Sequence, residues 1–241
     1  NLIYLVGTGY MAAEYLKVLK VLDVKYEVLG NTLSSSKLFE QENETVVNAN
    51  GLSKLECLEN NAMAIVAVNS EKLVDVCTEL LGSGVKRILL EKPGGLSFST
   101  LERLNKLQDI KKANVFVGYN RRYYSSVLEA EKVIQQDGGL LSCSFDFTEW
   151  SDQVSNLGKT KEVYNTWLIG NSSHVIDLGF HFTGLPEEIS SFYSGTLPWH
   201  PASSTFSGAG VSQRGILFNY TANRDSAGRW GVELHTKKRK L

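Results

Sequence analysis

The sequence predicts an α/β protein in two parts: an N-terminal Rossmann domain on a parallel sheet, and a C-terminal α+β domain with a mostly antiparallel open sheet. Three observations predict it. Short apolar runs alternate with helical patterns up to residue 118, a glycine-rich turn follows the first of them, and the apolar rhythm changes beyond that point. The expected domains are residues 1–118, for dinucleotide binding, and 119–241, for substrate binding.

Asn1 to Val6 reads as a buried strand rather than a signal peptide, and after Gly7 a helical pattern follows through Leu19. Tyr26 to Leu29 is a second strand. A polar stretch and a short helix-like segment precede a third, Ala64 to Val68. Lys72 to Leu81 carries apolar residues at helical spacing, stopped by Gly82 and Gly84. Arg87 to Leu90 is the next strand, Ser99 to Leu107 a helix, and Val115 to Gly118 the last strand of this half. Such alternation buries both faces of a parallel sheet.

In the second half a helix is expected over Ser126 to Gln136. Cys143, Phe145 and Phe147 then alternate with polar residues within Leu141 to Trp150, the pattern of a half-buried strand. Ile189 to Tyr193, Gly215 to Tyr220 and Trp230 to Thr236 read as further strands, with a helix near Val175 to Thr183. The sequence ends in strand-like residues, which leaves a truncated C-terminus open.

The 241 residues carry a formal net charge of −1, which gives no reason to expect nucleic acid or an anionic membrane. The basic run Lys237 to Lys240 reads as a solvated strand end or tail. Cys57, Cys77 and Cys143 are odd in number and widely spaced, so a disulfide framework is not expected and a cytoplasmic location is. No apolar run approaches the roughly 20 residues of a membrane span.

Gly7-Thr8-Gly9-Tyr10-Met11-Ala12 fits G-x-G-x-x-A, directly after a strand and opening a helix. The first glycine permits the tight turn, the second lets a pyrophosphate approach the backbone, and the third small residue lets helix and strand pack closely. Unpaired N–H groups at the helix start then favour the phosphates. The carboxylate expected about 20 residues later, to hold the ribose of NAD, is missing. The segment Asn31 to Lys37 instead offers Asn31, Ser34 and Lys37, a set suited to a 2′-phosphate, so the reading leans to NADP over NAD. An ordinary helix N-cap would look the same.

Glu91-Lys92-Pro93 closes a parallel strand at the sheet edge where ligands bind in such folds. Lys92 there can hold a substrate oxygen, or be a surface lysine in a turn. Asp177 and His181 are four apart on a helix and share a face, which suits a carboxylate steadying an acid/base imidazole. A polar helix face explains the spacing equally well. His174 lies on the same face, but no further ligand stands at suitable spacing, so no metal is expected. Trp150, Tyr164 and Trp167 are open to two readings, sugar-stacking or core aromatics.

Four stations, GTGYMA (Gly7 to Ala12), EKPGG (Glu91 to Gly95), GYNRR (Gly118 to Arg122) and HVIDLGFH (His174 to His181), occur in an order that resembles the glucose–fructose oxidoreductase / inositol dehydrogenase / rhizopine-catabolism family (Gfo/Idh/MocA). The resemblance implies that Lys92 contacts substrate and nicotinamide, with a cis bond before Pro93, that His181 is the acid/base group and that Asp177 stands beside it. It implies that Glu91 and Asn69 lie at the cofactor, and that Tyr119, Asn120, Arg121 and His174 lie at the substrate. The implied activity is hydride transfer between nicotinamide and a carbinol carbon of a sugar, cyclitol or sugar-nucleotide-like molecule, in a homodimer or homotetramer built through the C-terminal sheet. A non-catalytic dinucleotide sensor, and reduction of an imine or conjugated double bond, are the alternatives. Two departures stand out. Asn171-Ser172-Ser173 replaces the glycines that family members commonly carry before this helix, and the second domain is short for the family.

Overall fold

The structure, a computed structural model, describes residues 2–49, 51, 62–201 and 203–241. Cys57, Asn1 and the short helix-like segment before Ala64 lie outside the described residues. The chain divides into two compact units, Asn1–Gly118 and Tyr119–Leu241.

The first unit carries a six-stranded parallel sheet of β1 (Ile3–Val6), β2 (Tyr26–Gly30), β3 (Val47–Ala49), β4 (Met63–Val66), β5 (Arg87–Leu90) and β6 (Asn114–Val117). Their spatial order is β3-β2-β1-β4-β5-β6, that of a doubly wound dinucleotide-binding sheet. Helices α1 (Tyr10–Val21), α2 (Leu33–Asn43), α3 (Leu73–Gly82) and α4 (Phe98–Lys111) complete the unit. Side chains alternate across a strand, and the two cores follow from that. Tyr4 and Val6 pack with Leu73, Leu80, Leu81 and Leu104 of α3 and α4, whereas Leu5 packs with Ala12, Leu16, Leu19 and Phe39 of α1 and α2. Because all six strands run parallel, the loops after β1, β2, β4, β5 and β6 gather on one edge.

The three-residue strand β3 was not expected. Its sequence, Val-Asn-Ala, is too short to show a period, and its place is set by pairing with Val28 to Gly30.

The second unit holds α5 (Ser125–Gln136), β7 (Ser142–Asp146), α6 (Ser151–Ser155), α7 (Lys161–Asn165), α8 (Ser173–Thr183), β8 (Pro186–Ser194), β9 (Thr205–Ser212), β10 (Leu217–Asn223) and β11 (Gly231–His235). The sheet order is β11-β7-β10-β9-β8, with only the β7–β10 pair parallel. Phe145, Phe147, Phe218 and Leu234 form its inner face against Val175 and Phe182 of α8 and Val127 of α5. Gly179 is required there, since a Cβ would stand 2.7 Å from the Phe145 ring. The predicted strand Leu141 to Trp150 ends at Asp146, whose carboxylate accepts from the Thr148 N–H at 2.7 Å and turns the chain toward α6. Strand β9 escaped the sequence reading because Gly208 and Gly210 interrupt its period. Gly208 makes room for the Tyr220 ring on the neighbouring strand. The basic run at the C-terminus is tied back by Lys240 to Glu233 (2.8 Å) and Arg239 to Asp137 (3.3 Å). Among the described residues, no helix is long and apolar enough to cross a membrane.

Candidate functional site

In the first unit the turn after β1 is set by packing. Gly7 has φ +127°, a conformation open to glycine, and a Cβ there would collide with the Ala67 carbonyl. Ala12 is fully buried beneath the helix, as the close helix–strand contact requires. Gly9 differs from both. It precedes α1 with φ −102°, an unstrained value, and nothing lies within 4 Å of where its Cβ would be. Folding therefore does not require glycine at this position.

A cavity of about 670 Å³ opens at this edge, lined by Gly7, Thr8, Gly9, Asn31, Thr32, Ser35, Asn69 and Lys72 among others. Tyr10 and Met11 project into solvent beside it. Of the residues expected at a ribose or 2′-phosphate, Asn31 is on the wall, while Ser34 and Lys37 are exposed on α2 and do not line it. Thr32 and Ser35 take their place, their hydroxyls 2.7 Å apart. The helical register decides this: position 35 shares the cap side with Thr32, which accepts from the Ser35 N–H. Lys72 is the cation on the wall, and Asp75 and Glu79 of α3 also reach it. These five residues are not legible in the sequence because the wall combines segments that follow two strands far apart in the chain.

After β5, Glu91 is buried and accepts from the Tyr15 hydroxyl at 2.7 Å. Burial first, and then the Glu91 carboxylate, push the Tyr15 phenol well above its usual value. Glu91 is thus committed to Tyr15, a partner the sequence did not reveal. The Lys92–Pro93 bond is cis, and Lys92 is half-buried on the same sheet edge.

The second unit assembles Tyr119, Arg121, His174 and Asp177, with a result that corrects one expectation. Asp177 pairs through both oxygens with Arg122, Nε lying 2.8 Å from Oδ2 and Nη2 bonding Oδ1. His181 Nε2 instead meets Glu131 Oε1 at 2.8 Å. The carboxylate beside the histidine is therefore Glu131 of α5 rather than Asp177. A bidentate guanidinium fork outcompetes an imidazole one turn away, and it raises the Arg122 pKa further. Tyr119 and His174 meet edge to face at 5.9 Å, and His174 lies 6.2 Å from Trp230. Burial raises the Tyr119 phenol above its ordinary value. Asn120 is exposed.

A second cavity, of about 530 Å³, lies wholly within this unit and is lined by Arg121, Glu149, Trp150, Trp167, Asn171, Arg229 and Trp230 among others. Trp150 is anchored by Nε1–H to the Gly228 carbonyl at 2.8 Å. Trp167 donates to Glu149, which also accepts from Asn171 (3.0 Å) and Ser172 (2.8 Å). Both tryptophans are on the wall, while Tyr164 is a packing residue that bonds the Ser155 carbonyl. The polar Asn171-Ser172 pair thus serves to hold a buried carboxylate.

This geometry defines a doubly wound dinucleotide-type domain followed by an α+β domain. The comparisons agree. The family model described as NADP oxidoreductase coenzyme F420-dependent matches residues 2–90. An oxidoreductase from Thermotoga maritima superposes with a TM-score of 0.81 at 19% identity, over 99% of this chain and 77% of that one. Levoglucosan dehydrogenase in complex with NADH gives 0.81 at 14%, over 98% and 71%. The WlbA dehydrogenase of Bordetella pertussis, in complex with NADH and UDP-GlcNAcA, gives 0.79 at 15%, over 98% and 75%. No protein of curated function matches the chain by sequence. The chain shares the fold of these oxidoreductases.

Proposed function

We propose that the protein is an NAD(P)-dependent oxidoreductase that transfers hydride between nicotinamide and a carbinol carbon of a sugar, cyclitol or sugar-nucleotide-like substrate, in carbohydrate metabolism. The single observation that carries the reading is Gly9, a glycine with no packing or conformational need, at the helix start on the wall of a dinucleotide-sized cavity. Solved structures of the same fold with bound NADH support it.

When bound, the nicotinamide supplies the carbon that gives or takes hydride. The α1 start holds the pyrophosphate through unpaired N–H groups, and Asn31, Thr32 and Ser35 hold the ribose side, with Asn69 and Lys72 on the facing wall. Lys92 binds the substrate oxygen and polarises it. His181 moves the hydroxyl proton. With Nε2 held by Glu131, Nδ1 is the nitrogen left for that work. Asp177 fixes Arg122 and thereby the turn carrying Tyr119, Asn120 and Arg121, which with His174 contact the substrate. NADP is favoured over NAD because the end of β2 carries Asn31, Thr32 and Ser35 and no carboxylate. Asp75 and Glu79 are the groups that oppose it.

The buried thiols Cys77 and Cys143 suit a reducing cytoplasm. Ile189, Phe192 and Tyr193, exposed on β8, suit pairing with a second copy.

The test is a fluorescence titration with NADPH and NADH in parallel. Tighter NADPH binding is expected. Tighter NADH binding overturns the NADP preference, and binding of neither by folded protein overturns the oxidoreductase reading.

A further inference from the structure

Arg214 aside, the arginines of the second unit divide into those held or buried by the fold and those that line the cavity. Arg122 is committed to Asp177 and Arg239 to Asp137. Arg224 is completely buried; its Nη2 lies 3.4 Å from the Ser172 hydroxyl. Burial lowers its pKa, and the Glu149 carboxylate offsets part of that effect. Arg121 and Arg229 have no carboxylate within ion-pair distance among the described residues, and both line the tryptophan-walled cavity.

Glu149 is the one acid on that wall, and it is already compensated. Its oxygens accept from Trp167, Asn171 and Ser172, and the Arg224 cation acts on it electrostatically. The two guanidiniums are therefore a net positive charge that the wall does not neutralise. The Arg121 guanidinium is held 4.4 Å over the Trp230 ring, which orders it before any ligand arrives. A neutral polyol would be served by amides and hydroxyls alone. A guanidinium matches the planar, two-oxygen edge of a carboxylate or phosphate, and tryptophan faces match the apolar face of a pyranose. The volume, about 530 Å³, suits one ring with its substituent.

We propose that this cavity receives a sugar ring bearing an oxyanion, carboxylate or phosphate, with Arg121 and Arg229 binding the anion against the tryptophan faces. The inference rests on the oxidoreductase reading for its meaning, since it names that enzyme's substrate class, but binding can be measured without turnover.

The experiment is calorimetric titration of the whole chain with glucuronate, glucose 1-phosphate and glucose at fixed ionic strength, each with and without saturating NADPH. At least one anion is expected to bind about tenfold or more tightly than glucose, and the stronger one identifies carboxylate or phosphate. Arg229→Gln and Arg121→Gln are each expected to remove most of that advantage, with thermal unfolding unchanged in Arg229→Gln because the side chain is exposed. Glucose binding as tightly as both anions, or variants that keep the advantage, overturns the proposal. NADPH binding with no anion binding also overturns it while leaving the oxidoreductase reading intact. Anion binding without NADPH binding supports the pocket and overturns that reading instead.

Discussion

The two cavities are built from different materials. The one in the first unit is centred on backbone, the glycine turn and the start of α1, with Asn31, Thr32, Ser35, Asn69 and Lys72 added around it, and Tyr10 and Met11 within the motif turn outward. The one in the second unit is a side-chain site, made of Trp150, Trp167, Trp230, Arg121, Arg229 and a buried Glu149 drawn from four separate segments. A backbone site tolerates almost any side chain that stays out of the way, whereas a side-chain site depends on each partner being held in place. Substitutions should therefore separate folding from binding at Gly9 in the first unit and couple them at the buried Glu149 in the second.

The largest expected effect tests the reacting groups. Lys92→Ala and His181→Ala should each lower turnover by about 10²–10⁴-fold, with NADPH affinity nearly unchanged. Full activity in both would remove the proposed roles. Next is Glu149→Ala, which strands the donors of Trp167, Asn171 and Ser172 and the buried Arg224. A loss of about 3–5 kcal/mol in urea unfolding is expected. A neutral result would show that the carboxylate does not organise the wall.

The glycine pair sharpens the contrast most directly. Gly7→Ala should cost about 1–3 kcal/mol of stability, because its backbone is left-handed and its Cβ meets the Ala67 carbonyl. Gly9→Ala should unfold within about 0.5 kcal/mol of the parent and yet bind NADPH roughly tenfold more weakly. Unchanged NADPH binding in a folded Gly9→Ala variant would make the motif a mere turn.

The smallest effect is a pH dependence. Burial pushes the Cys77 and Cys143 thiols up to about 12 from an ordinary 9.0. A raised pKa means the fold favours the neutral thiol. The stabilisation is complete below about 9 and is lost as pH climbs toward about 12. In a Cys57→Ser background, both thiols should react with Ellman's reagent at pH 8 only after unfolding. Rapid reaction of the native protein would contradict their burial.

Legibility followed the same division. G-x-G-x-x-A, the strand before it and the helix after it are contiguous, so their meaning survives in a linear string. Lys92 and Pro93 could be placed for a similar reason, since they adjoin a strand whose apolar run is plain; the cis bond came only from the resemblance. Asp177 and His181 could be put on one helix face, but their partners could not be chosen. Arg122 is 55 residues from Asp177 and Glu131 is 50 from His181, and no local period links them. Ser34 and Lys37 are exposed on α2 and off the cavity wall; composition shows donors without showing which way a helix turns them.

The sequence by itself determined the strands and helices of the first unit apart from β3 and α2, the glycine-rich turn, and a half-buried strand within Leu141 to Trp150. Each depends on interactions within a few residues, where hydrophobic period and backbone preference dominate. Only the tertiary structure decided the carboxylate partners, the burial of Arg224 and Glu149, and the tryptophan-and-arginine wall. Those depend on which distant segments pack together, and a charge or an aromatic ring gains its role only from the neighbours that packing supplies.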